Sequence, residues 1–161
     1  MDPTVDALTA ALESKDGMVR QAARERLVGL GRSVAPTLCP LLRHRRPQVR
    51  WEAALVLKDV ADTSCVPALV ESIFDTDEGV RWIAAEALGG LGKPGIRALL
   101  HLLIRDAASR EVRTALRVAS TRVVDPALRA VLEPLRETLV REATAGVVII
   151  AADLARSRLD I

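Results

Sequence analysis

The chain has 161 residues, 50% of them hydrophobic and 27% charged, with a formal net charge of +2 at pH 7. That balance is too apolar for a disordered chain, too evenly charged for an integral membrane protein, and far from the basic excess of an electrostatic nucleic-acid binder. One domain over 1–161 is expected, with a core of Ala, Leu, Val and Ile, because aromatics make up 2%, Phe74 is the only Phe and Tyr is absent.

The apolar spacing predicts helices in pairs, a first (A) and a second (B) helix each time. The first pair is expected at 3–14 and 17–30, opened by Asp2-Pro3 as cap and first-turn proline and closed by Gly29 and Gly31. The second covers 34–43 and 47–60. The third covers 64–74 and 78–91, capped by Ser64 and ended by Gly89-Gly90 and Gly92. In its B helix, Val80, Ile83, Ala84, Ala87, Leu88 and Leu91 recur at the three- and four-residue steps of one helical stripe. The fourth pair is placed at 94–105 and 109–123. A fifth, degenerate pair occupies 126–140 and 142–157, starting on Asp125-Pro126 and carrying Pro134 where a kink is expected. No alternating stretch or Asn-Gly turn predicts a strand.

The pairs are copies of one unit. Val-Arg recurs at Val19-Arg20, Val49-Arg50, Val80-Arg81 and Val112-Arg113, at intervals of 30, 31 and 32 residues, and small or apolar residues follow in the same order. Each pair is apolar on too many sides to stand alone, so the repeats (about 3–31, 33–61, 63–92, 94–123 and 125–157) are expected to stack into an all-α solenoid.

Three phrases carry a family resemblance: Val66-Pro67-Ala68-Leu69-Val70, then Asp75-Thr76-Asp77-Glu78-Gly79-Val80-Arg81, then Ala84-Ala85-Glu86-Ala87-Leu88-Gly89. They resemble HEAT-like repeats of the phycobilisome-lyase type, which implies a right-handed α-α superhelix with the B helices on its concave side. That family includes scaffolds, bilin-attachment factors and a metal hydroxylase. The hydroxylase resemblance would require His-Glu dipeptides, but His44 is followed by Arg45 and His101 by Leu102, so no metal and no cofactor are expected. Cys39 and Cys65 read as small core or boundary residues, too few for a disulfide framework. With no signal-peptide pattern in Met1-Asp2-Pro3-Thr4, a reducing cytoplasm is expected.

The repeated Arg20, Arg50, Arg81 and Arg113 are expected to pair with acids in the inter-helix loops. Asp16, Arg46, Asp77 and Ser109 stand three residues before each Val, and Arg43, Arg45 and Arg46 make the second loop a basic edge. On the B helices the positions opposite the buried stripe bring Trp51, Leu55 and Lys58 of the second repeat beside Trp82, Ala85, Glu86 and Gly89 of the third. Repeat four supplies Thr114, Arg117, Val118 and Thr121 there. The two Trp residues would lie about 10 Å apart at helix-packing distance. Either each Trp seals the gap between repeats, or the pair forms a binding hot spot.

The expected function is therefore a non-enzymatic scaffold that binds a protein or peptide on the concave face, with Trp51, Trp82 and Leu55 as anchors and Arg50, Arg81, Lys58 and Glu86 at the rim. A nucleic-acid binder using Arg43, Arg45, Arg46 and Arg50 is the alternative, against which the charge of +2 weighs. A bilin-lyase-like or chaperone-like factor is the third. No membrane association is expected. Val147-Val148-Ile149-Ile150, apolar on consecutive positions, marks helix 142–157 for self-association unless the chain covers it.

Overall fold

A computed structural model describes residues 4–141 and 143–159, and among these all regular structure is helical. The helices are α1 (Val5–Ala11), α2 (Gly17–Gly29), α3 (Ala35–Leu38), α4 (Pro47–Val60), α5 (Val66–Ser72), α6 (Glu78–Gly90), α7 (Lys93–Arg105), α8 (Arg110–Arg122), α9 (Pro126–Val140) and α10 (Ala145–Leu159). They stack as a right-handed α-α superhelix.

Side-chain caps set most helix starts. Asp16 accepts from the N–H of Met18 (2.8 Å), Asp77 from Val80 (3.0 Å), Ser109 from Val112 (3.3 Å) and Asp125 from Ala127 (2.9 Å). The residue three before each repeated Val is thus the N-cap of a B helix. Arg46, which cannot accept a hydrogen bond, caps α4 without a side-chain bond, and Pro47 follows it. Two expected caps differ. The Asp2-Pro3 signal lies outside the described residues, and Thr4 caps α1 instead, accepting from Ala7 at 3.3 Å. Ser64 is not a cap: Asp62 accepts from its N–H at 2.8 Å and opens a 3-10 turn, after which α5 starts at Val66.

The first element of the second repeat, expected as one helix, is a 3-10 turn at Gly31–Val34, then α3, then a second 3-10 turn at Cys39–Arg43. Pro36 and Pro40 account for this, since Pro40 cannot donate back to the carbonyl of Pro36. In α9, by contrast, Pro134 leaves the helix continuous from Pro126 to Val140. The bond it cannot give falls at the Ala130 carbonyl, on the exposed side of the helix, where the unpaired oxygen faces solvent.

The B helices α2, α4, α6 and α8 pack neighbour on neighbour. At the last pair the order reverses. It is α10, not α9, that lies along α7 and continues the A layer, while α9 leans against α8. The buried stripe of α10 is Val148, Ala152, Ala155 and Leu159. The core is aliphatic, with Leu27, Leu57, Leu88 and Leu116 almost fully enclosed, whereas Phe74 and Trp82 are exposed.

As expected, α6 ends at the glycines, running to Gly90 with the chain turning out at Gly92 (φ +66°). Gly89 is a packing residue: a Cβ there would sit 2.1 Å from the carbonyl oxygen of Ala119 in α8. Gly95 does the same between α7 and α6, where a Cβ would lie 1.9 Å from the oxygen of Leu88.

Cys39 and Cys65 sit at and in the core as expected, but they are bonded to each other, which corrects the expectation that they form no disulfide. Stacking brings the end of the second repeat's A segment against the start of the third's, with Cα atoms 5.8 Å apart, within disulfide range. The cysteine-based argument for a reducing compartment therefore falls away. What holds is that no described helix is long and apolar enough to cross a membrane. Closing the 26-residue separation removes loop entropy from the unfolded chain, so dithiothreitol is expected to lower unfolding stability by about 3 kcal/mol. Identical melts with and without reductant would show that the bond contributes nothing.

Candidate partner-binding groove

The repeated arginines close their own loops. Arg20 donates to the carbonyls of Ser14 (2.9 Å) and Lys15 (3.0 Å), Arg50 to His44 (2.9 Å), Arg81 to Asp75 (2.8 Å) and Thr76 (3.2 Å), and Arg113 to Ala107 (2.6 Å). The carbonyl six residues earlier is the constant partner. Acids join in two repeats, but they come from the next repeat along the stack. Arg20 meets Glu52 at 2.6 Å, and Arg50 holds both oxygens of Asp75 at 2.6 Å each. Glu52 is fully buried and is also bound by Arg24 and by Gln48 (2.9 Å). Burial pushes the Asp75 carboxyl up, yet Arg50, the Asp77 N–H and Thr76 together hold it below the usual carboxylate value. The hydrogen bond to Asp75 correspondingly raises Arg50.

Arg50, placed at the rim by sequence, is thus buried, with its donors directed at Asp75, Thr76 and the loop carbonyls. The basic edge is likewise matched. Arg43 forms a forked pair with Glu71 (2.6–2.9 Å), and Arg46 pairs with Glu13, whose backbone carbonyl it also reaches at 3.1 Å. Arg45 alone of that cluster is exposed with no acid paired to it among the described residues.

The two Trp residues share a repeat position and have different surroundings. Trp51 is half-buried, with Arg24 of α2 over its ring at 5.9 Å and Gly79 beneath its edge, where a Cβ would come within 3.3 Å of Cδ1. In the register of the Val-Arg pairs, the residue equivalent to Gly79 is Glu111 and the one equivalent to Arg24 is Ala54. Trp82 therefore has neither the flat seat nor the cationic cover, and is 52% exposed. Leu55 is half-buried, and Lys58 reaches Glu86 across the repeats at 3.6 Å. Ala85 and Gly89, expected on the open face, are buried against α8.

Trp82 stands between two adjoining cavities of about 280 and 310 Å³ along the α6–α8 seam, both also lined by Thr114 and Val118. Toward the loops the walls carry mixed charge, with Glu78, Arg81, Arg110 and Glu111. Toward α9 they are Arg117, Thr121, Arg136 and Val140, with no acid among the lining residues. Arg136 is paired with Glu133 at 2.7 Å, whereas Arg117 is exposed and has no acid paired to it among the described residues. An indole, two valines and an unmatched guanidinium on one wall make a surface able to bury an apolar group beside an anion. Arg117 and Val118 were legible as outward positions of repeat four. Arg136 and Val140 were not, because only the reversed order of the last pair brings α9 to this wall. No group of three or more potential metal ligands occurs among the described residues.

A family model described as HEAT repeats matches residues 35–120, more than half of the chain. A chain from the structure of the complex of CpcE and CpcF of phycocyanin lyase from Nostoc sp. PCC7120 is 22% identical, over 94% of this chain and 97% of that one, with a TM-score of 0.66. An engineered protein is also 22% identical, over 98% of this chain and 80% of that one, with a TM-score of 0.46. No curated relative matches. At these identities the first likeness speaks to the fold alone.

Proposed function

The chain belongs to the HEAT-repeat family, and from that premise we propose that it is a non-enzymatic scaffold that binds a protein or peptide segment in the groove between α6 and α8. The observation that carries this is Trp82, 52% exposed on a molecule whose core is aliphatic and flanked by cavities on both sides. Large rings left in a groove are the residues most enriched among binding hot spots. In this reading Trp82 is the anchor, Arg81 and the Lys58–Glu86 pair lie at the border, and Leu55 extends the apolar face toward the second repeat. Trp51 and Arg50 drop out of the binding set, since each has partners within the chain. Ala substitution of Trp82 is expected to weaken a bound peptide by about 30-fold or more, measured by fluorescence anisotropy with peptides selected from a random library. Unchanged affinity would remove the groove from consideration.

A nucleic-acid ligand gains less support, because Arg43, Arg46 and Arg50 face acids of neighbouring repeats. Self-association has an observation of its own. Val147, Ile150 and Leu154 form an exposed stripe on α10, at the end of the A layer where a further helix would stack. We expect a concentration-dependent mass by light scattering that Ile150→Glu abolishes. A constant monomer would refute it.

A further inference from the structure

The groove is not chemically even along its length, and this narrows what it can hold. At the α9 end its lining is Trp82, Val118 and Val140 with two arginines, two threonines and no carboxylate, while both lining acids, Glu78 and Glu111, belong to the other end. The two arginines differ. Arg136 is held by Glu133 from the preceding turn, but Arg117, on α8, has no acid paired to it among the described residues. Elsewhere in the stack acids face arginines across repeats, as at Arg20–Glu52, Arg43–Glu71, Arg46–Glu13 and Arg50–Asp75. Arg117 is set apart by its place, an exposed guanidinium with no acid paired to it among the described residues, standing beside an exposed indole. The Thr121 hydroxyl donates to the carbonyl of Val118 at 2.7 Å.

We propose that the partner is an acidic peptide segment in which an aliphatic or aromatic side chain is followed or preceded closely by Asp or Glu. The apolar side chain packs against Trp82 and Val140, and the carboxylate accepts the fork of Arg117. Placing an anion there supplies a counter-charge to an exposed guanidinium, a contact of surface-pair strength that adds direction to the apolar packing. A basic segment would meet Arg117 and be repelled. This proposal rests on the groove reading above and names the chemistry of its occupant.

The test is selection of random 12-residue peptides displayed on phage against the purified chain, its Arg117→Glu variant and its Trp82→Ala variant. Circular dichroism melts serve to verify that each variant is folded. The expected result is that peptides retained by the wild-type chain pair an apolar residue with Asp or Glu. Their affinity should fall at least tenfold on Arg117→Glu and weaken as sodium chloride is raised, and Arg117→Glu should itself select Lys or Arg in place of the acid. Peptides lost on Trp82→Ala that carry neutral or basic neighbours, or that bind Arg117→Glu unchanged, would overturn the acidic occupant while leaving the groove in place. Retention of no peptide in a Trp82-dependent way would overturn the groove and this proposal together.

Discussion

Gly89→Ala is expected to lower the stability of the chain by about 3 kcal/mol or more, read from the midpoint of urea unfolding. The cause is geometric. A methyl at this position would lie 2.1 Å from the carbonyl oxygen of Ala119 and 2.8 Å from its carbonyl and Cα carbons, all backbone atoms that no rotamer change can move. The helices α6 and α8 would have to separate, and both line the groove. Gly90, the next residue, provides the control, because nothing lies within 4 Å of a Cβ there. Gly90→Ala should be neutral or stabilising by up to about 1 kcal/mol, since alanine has the better helix propensity and the smaller unfolded-state entropy. Equal midpoints for the two variants would mean that the close approach is not what holds the seam together.

Removing Glu52 should cost nearly as much, about 3 kcal/mol. Its carboxylate is fully buried and binds Arg20, Arg24 and Gln48, so Glu52→Ala strands two guanidinium groups that were positioned for it. Those arginines retain 19% and 24% side-chain exposure and can turn partly to water, which places the cost at the lower end for a broken buried pair. A double-mutant cycle with Arg20→Ala should recover a coupling energy of more than 1 kcal/mol, and Glu52→Gln should fall between wild type and Glu52→Ala. Additive effects of Glu52→Ala and Arg20→Ala would contradict the ladder. The same substitution also frees Arg24, the residue lying over Trp51, so the indole of Trp51 should become more accessible to iodide quenching.

These two sites show where the amino-acid sequence was and was not legible. The helix pairs were readable because apolar residues at three- and four-residue steps leave one way to bury them, and the recurring Val-Arg fixed the repeat length. Asp16 and Asp77, three residues before their Val, were visible but read as partners of the arginines, since an acid near an arginine looks like its partner until the helix start places it on a backbone N–H. The partner that Arg20 does use, Glu52, lies 32 residues away and was readable only as an acid on an otherwise Ala- or Ile-bearing stripe. Gly89 was read with Gly90 and Gly92 as the helix end and as an outward position, and its packing role shows only once α8 is stacked on α6. The reversal of the last pair had no local signal, because it depends on which of two apolar helices fits α7 better.

The two Trp residues make the same point at the candidate site. Their shared register suggested shared function, and what separates them is two neighbours each. Gly79 lets Trp51 lie flat under Arg24, while Glu111 and Ala54 leave Trp82 without seat or cover. Both replacements were in the sequence, but they count only once the repeats are stacked.

The most direct measurement is therefore a comparison of Trp51→Ala with Trp82→Ala, each assayed for urea unfolding and for binding of a library-selected peptide under folded conditions. The account predicts that Trp82→Ala keeps the wild-type midpoint and loses the peptide, whereas Trp51→Ala is destabilised by about 2 kcal/mol and still binds. A Trp82→Ala chain that unfolds as early as Trp51→Ala and keeps the peptide would contradict it.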